Sequence, residues 1–219
     1  GTVVSEFEFL TGFSGEFLPS DYMIYGRYLK KDFYSAVEIL KNQGYETMAF
    51  HPYLASNYNR ENAYINMGFE QRFFEDSFEN PKIIRNYISD ESMYQKMISE
   101  YENRPDKNHP VFMFGVTMQN HGGYWKENIY EEKKVNFSTD VYGEVAADCL
   151  EDQLTGLHES DRALGELVDY FRSVDQNTII IYFGDHMSDA GPKNDRVLEK
   201  SSWIGNEAEY DYETHRVPF

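Results

Sequence analysis

Cysteine is almost missing from this chain: Cys149 is the only one in 219 residues. An intrachain disulfide is therefore excluded, and the lone thiol, in a helical pattern, reads as a buried structural group. Such cysteine usage fits the cytosol or the outside of a bacterium that makes few disulfides. Long apolar runs are also missing, so no stretch is suited to span a membrane, and no signal peptide is visible. The chain reads as cut at both ends, opening at Gly1-Thr2 and closing at Val217-Pro218-Phe219 where a strand is about to begin. A signal or anchor is expected upstream. Basic residues are few: 20 Lys and Arg against 38 Asp and Glu, for a net charge of −18. This balance argues against nucleic acid, whose phosphates demand a basic footprint, and against broad adhesion to anionic lipid. An anionic substrate would need local groups or a metal to offset the overall field.

What the chain does have is 41% hydrophobic and 16% aromatic residues, with 18 Tyr and 16 Phe. That is enough for one α/β domain over residues 1–219, with tyrosines suited to line a sugar or polyol cleft. Thr178 to His186, Thr-Ile-Ile-Ile-Tyr-Phe-Gly-Asp-His, is the organising stretch. Its β-branched and aromatic run predicts a strand buried on both faces, over Ile179–Phe183. In open α/β sheets, ligands bind beyond the carboxyl ends of the strands. Asp185 and His186 stand at such an end, and a carboxylate beside an imidazole suits a divalent metal. On the pair alone, a turn-starting Asp and a merely exposed His is an equal alternative.

The same logic recurs upstream. Residues 33–43 read as an amphipathic helix stopped by Gly44, and Tyr45–Phe50 as a strand followed at once by His51. Short helices are predicted over Arg60–Met67 and Asp90–Tyr101. A second buried-type strand, Val111–Thr117, leads to Asn120-His121, and residues 125–140 read as a charged surface loop. The apolar period from Leu150 to Phe171 predicts a long helix feeding the isoleucine strand. Thr2 to Thr11 is either a strand or a helix start. Ser5 and Glu8 have capping-box spacing, and Glu6 and Glu8 read as solvated or capping. Residues 187–213 read as a loop, either facing substrate or mobile. Three strands each followed by His suggest one rim holding His51, His121 and His186.

At these residues the sequence resembles the lipoteichoic acid synthase-like phosphoglycerol transferases of the sulfatase/alkaline phosphatase superfamily. Gly1-Thr2-Val3-Val4-Ser5-Glu6-Phe7 resembles their nucleophile segment, Asp185-His186 their metal pair, His51…Tyr58…Arg60 and Asn120-His121 their substrate contacts. Tyr58 stands where the family often has Trp. The resemblance implies an alkaline phosphatase-like α/β sandwich with a mostly parallel sheet flanked by helices. It also implies a catalytic Thr2 and one divalent metal held by Thr2, Asp185 and His186, with Mn expected and Zn or Mg as alternatives. His51, Tyr58, Arg60 and His121 would bind substrate. A further acidic ligand, which the family carries upstream of its nucleophile, would precede Gly1.

The implied activity moves glycerophosphate from a phosphatidylglycerol-type lipid, through a phospho-threonine, to a glycerophosphate or glycan acceptor. The implied place is the outer face of a bacterial membrane, reached through a segment outside this chain. The implied process is lipoteichoic acid synthesis in the cell envelope. Two other readings stay open: a phosphodiesterase or sulfatase-type hydrolase, and a non-catalytic polyol- or glycan-binding domain. The formylglycine route of classical sulfatases is disfavoured, because Glu151 and Gln153 stand where its C/S-x-P-x-R context needs Pro and Arg.

Overall fold

The computed structural model describes residues 1–18, 24–30, 33–124, 129–136 and 139–187. It forms two compact units. The first comprises Gly1–Lys82 and Ser92–Met118, and the second Ile83–Glu91 with the chain from Gln119 onward.

The first unit is built on a parallel sheet of order β2-β1-β5, formed by β1 (Glu46–Phe50), β2 (Gln71–Phe73) and β5 (Val111–Gly115). Central β1 buries Met48, Ala49 and Phe50 because it has a neighbour on each side. Its described residues include the helices α1 (Thr2–Thr11), α2 (Ile24–Arg27), α3 (Ala36–Asn42) and α4 (Arg60–Met67). Ser35 caps α3 by accepting from the Glu38 amide, and Gly68 closes α4 in the left-handed region.

The stretch from Thr2 is thus a helix, and its Ser5–Glu8 capping box does not form. The helix starts four residues earlier, with Gly1 rather than Ser5 as its N-cap and Gly12 (φ 72°) as its C-cap. The Glu8 carboxylate instead accepts from the Gly15 amide at 2.7 Å, tying down the loop beyond the other end. On α1 the stripe Val3, Phe7 and Leu10 enters a core with Tyr25, Val37, Ala49, Ala63, Tyr64, Phe69 and Phe114.

The second unit holds the antiparallel hairpin of β3 (Ile83–Ile84) and β4 (Tyr87–Ile88), the short α6 (Thr139–Tyr142) and the 30-residue α7 (Glu144–Ser173). The helix α5 (Asp90–Glu102) starts in this unit and runs into the first. Cys149 is buried on α7, as its helical context predicts.

One strand expectation fails. Residues 177–184 form no strand, and Ile179 is 89% exposed. A run of isoleucine becomes a strand only when a neighbour supplies backbone partners and a surface to cover it. Among the described residues this run pairs with no strand. The expected loop over 187–213 lies outside the described residues, apart from Met187, as does the strand expected at 217–219.

Candidate active site

Thr2 is the first helical residue of α1. The N-cap of that helix, Gly1, has no side chain with which to cap it. The first N–H groups of a helix have no partner within it, and such groups favour an anion.

One turn later α1 is locked in place. Glu6 is only 3% exposed. It accepts from Arg60 Nε at 3.1 Å and from Arg60 Nη2. It also accepts from the Tyr25 hydroxyl at 3.0 Å and the Tyr64 hydroxyl at 2.7 Å. The expectation of a solvated or capping Glu6 is therefore corrected. Its place on the stripe Val3-Glu6-Phe7-Leu10 was the sequence signal for burial. Burial alone would lower the Arg60 pKa, but the adjacent Glu6 wins and holds it above its ordinary value. Burial first, and Glu6 second, push both tyrosines well above theirs, so they stay protonated donors.

Arg60, an expected substrate ligand, is 2% exposed and turns most of its fork towards Glu6. Its Nη1 is buried with no hydrogen-bond partner among the described residues. The Tyr58 ring lies 5.2 Å from the Arg60 guanidinium carbon. Tyr58 and Asn59 both have positive φ, 52° and 59°, a costly conformation of the kind that collects at ligand clamps. His51 follows β1 directly, as expected, and is fully buried. Its Nδ1 lies 3.0 Å from the Val116 carbonyl, which can only accept, so Nδ1 carries the proton. The first unit thus brings Tyr58 and Arg60 together and couples Arg60 to the helix of Thr2.

In the second unit, His121 is exposed on the loop after β5, its Nδ1 3.4 Å from the Tyr87 hydroxyl. Its neighbour Asn120 donates to Ser160 Oγ at 2.8 Å, and Ser160 donates to Asp90. Gly156 of α7 makes this possible, because a side chain there would collide with Asn120 Oδ1.

Asp185 and His186 are each about half exposed, with Oδ2 and Nε2 3.3 Å apart. His186 Nδ1 lies 2.8 Å from the Met187 carbonyl and so holds a proton. In the neutral ring, Nε2 then turns a lone pair towards a carboxylate oxygen. Either a second ring proton or a cation resolves that clash of acceptors. A carbonyl that orients the far nitrogen is also what ligating imidazoles use. The pair therefore fits a divalent metal, although no cluster of three or more His, Cys, Asp or Glu suited to a metal occurs among the described residues.

The profile of the sulfatase family matches residues 1–219. The chain belongs to the sulfatase family. Among curated proteins it is 32% identical, over 182 residues, to the "Putative cyclic beta-1,2-glucan modification protein" of Rhizobium meliloti (strain 1021); the match takes in 83% of this chain and 28% of that one. Among solved structures, the lipoteichoic acid synthase LtaP of Listeria monocytogenes superposes with a TM-score of 0.77 at 20% identity. That alignment covers 99% of this chain and 52% of LtaP. The phosphoglycerol transferase GacH of Streptococcus pyogenes, solved with sn-glycerol-1-phosphate, gives 0.68 at 23% identity, covering 88% of this chain and 50% of GacH. The chain thus spans about half of those solved chains and little over a quarter of the curated relative. The alkaline phosphatase-like α/β fold expected from the sequence is the fold observed.

Proposed function

We propose that residues 1–219 belong to the catalytic domain of a phosphoglycerol transferase. It would take glycerophosphate from a phosphatidylglycerol-type lipid, hold it on Thr2 and pass it to a glycan or glycerophosphate acceptor. The observation that carries this reading is the place of Thr2 as the first residue of α1, on a helix fixed one turn later by Glu6. The relatives add support: one is a phosphoglycerol transferase bound to a glycerol phosphate, and another is named for glucan modification. The second name favours a glycan hydroxyl as acceptor.

The chemistry balances in two displacements. Thr2 Oγ attacks the phosphodiester phosphorus, the bond to the diacylglycerol oxygen breaks, and diacylglycerol leaves with a proton. An acceptor hydroxyl then attacks the same phosphorus, the phosphorus–Thr2 bond breaks, and Thr2 regains its proton. A divalent cation, manganese in our reading, would be held by Asp185, His186 and the Thr2 oxygen, and when bound it lowers the hydroxyl pKa and offsets charge on the phosphoryl group. The N–H groups at the start of α1 would steady the phosphoryl oxygens. His121 would contact a phosphoryl or glycerol oxygen. Arg60, with Tyr58 beside it, would add positive charge to the substrate side, and His51 would contact substrate as well. Such work on a lipid head group belongs outside the membrane. No described helix is long and apolar enough to cross one, so the anchor would be a segment outside this chain.

The test is head-group release from fluorescent phosphatidylglycerol by the full-length protein with added Mn. Thr2→Ala and Asp185→Ala should each cut diacylglycerol release about a thousandfold or more. The product carrying glycerophosphate then separates transfer to a glycan from hydrolysis. No release from a folded, metal-loaded protein would sink the substrate assignment.

A further inference from the structure

The β3–β4 hairpin carries two residues that no feature of the sequence singled out. Its turn is Arg85-Asn86, both at positive φ, 51° and 65°. Two-residue hairpin turns of this kind favour Asn-Gly, because most side chains are strained there. Arginine is a poor choice for the turn itself, so its use points to what the side chain does.

Arg85 is only 6% exposed. Its Nη1 donates to the Gln119 carbonyl at 3.0 Å, and its Nη2 to the His121 carbonyl at 3.3 Å. The guanidinium carbon lies 3.7 Å from the centre of the Tyr124 ring. One planar cation thus grips the backbone on both sides of Asn120 and the aromatic residue three positions after His121. The grip matters because Gly122 and Gly123 follow His121 directly, and Gly123 has φ 98°. Two glycines would otherwise leave an exposed histidine free to wander.

The other end of the hairpin reaches the ring. The Tyr87 hydroxyl is 3.4 Å from His121 Nδ1, and the two ring centres are 5.7 Å apart. With the Tyr87 hydroxyl as donor, Nδ1 is the acceptor and the proton of the neutral ring sits on Nε2. His121 then presents an N–H, the form needed to meet a phosphoryl oxygen or to protonate a departing alkoxide.

We propose that the β3–β4 hairpin is the positioning element of the substrate histidine, with Arg85 fixing the loop backbone and Tyr87 turning His121 Nε2–H outward. This rests on the reading above that His121 touches substrate.

The test uses the full-length protein and two independent readouts. The first is the His121 tautomer, from long-range imidazole nitrogen–proton NMR correlations. The second is kcat and KM for head-group release. Tyr87→Phe removes one oxygen and should fold normally. It should convert His121 from the single Nε2–H form to a mixture, and lower kcat about tenfold with KM within about twofold. Arg85→Met should lower kcat about a hundredfold, and Arg85→Lys should restore little, because a point charge cannot grip two carbonyls and a ring. An unchanged tautomer and unchanged kcat in Tyr87→Phe, with His121→Ala still crippled, would overturn the positioning role alone. Full activity in His121→Ala would instead overturn the substrate role of His121 on which the proposal rests.

Discussion

Each unit buries a carboxylate, and the two are handled in opposite ways. In the first unit Glu6 meets the Arg60 guanidinium and two tyrosine hydroxyls. In the second unit Asp90 is 2% exposed, and among the described residues its carboxylate meets neutral donors alone. Ser160 donates to Oδ2, and Oδ1 has no hydrogen-bond partner among the described residues. Burial therefore pushes the Asp90 carboxyl up to about 6, with Ser160 and the backbone beside Gln119 only partly opposing it. A buried acid with a cation can serve as a fixed charge that orients a helix. A buried acid without one holds its proton to higher pH. The Glu6 arrangement stands beneath Thr2 on α1, and the Asp90 arrangement stands beneath the loop of His121.

The largest effect should come from breaking the ion pair. Arg60→Met leaves Glu6 buried without its cation and should cost about 3–5 kcal/mol in urea unfolding. A loss below about 1 kcal/mol would mean that the tyrosines and water can hold Glu6 alone.

Asp90 should respond to pH. Its folded value, about 6, lies above the ordinary 3.8. The folded state therefore binds the proton more tightly than the unfolded state. That stability is fully present below the ordinary value and is lost as pH rises through the folded one. The loss is about 3 kcal/mol by pH 8. Asp90→Asn should abolish this fall, so that the variant gains on the wild type as pH rises through about 6. Parallel curves for the two proteins would contradict the proton-holding role.

Tyr64→Phe should cost about 2 kcal/mol, since it removes a short hydrogen bond to a buried charged group. A surface control completes the comparison. Arg162 meets Glu91, Glu159 and Glu166 but is 39% exposed, so Arg162→Ala should cost less than about 1 kcal/mol, and less still in high salt.

Elements whose own residues decide them were legible in the sequence. The helix expected at Arg60–Met67 has those bounds, and the period from Leu150 to Phe171 falls within the helix Glu144–Ser173. Elements decided by distant partners were not. Gln71–Phe73 is too short to show alternation and exists by pairing in parallel with β1. Ile179–Phe183 has strand chemistry but no partner strand among the described residues. The same division holds at the candidate site. Motif residues such as Thr2, His51 and His186 could be picked by pattern. The stripe marks Glu6 for burial but not for its partner, and Arg85 and Tyr87 carry no pattern at all, because these roles come from contacts across tens of residues, Glu6 with Arg60 and Tyr87 with His121.

The central claim is that Thr2 carries the transferred group. The direct measurement is peptide mass spectrometry of the full-length protein, acid-quenched during turnover of phosphatidylglycerol. The account predicts one glycerophosphoryl group on the peptide containing Thr2, absent in Thr2→Ala and chased away by acceptor. Steady turnover with no adduct on Thr2, or an adduct on another residue, would contradict it.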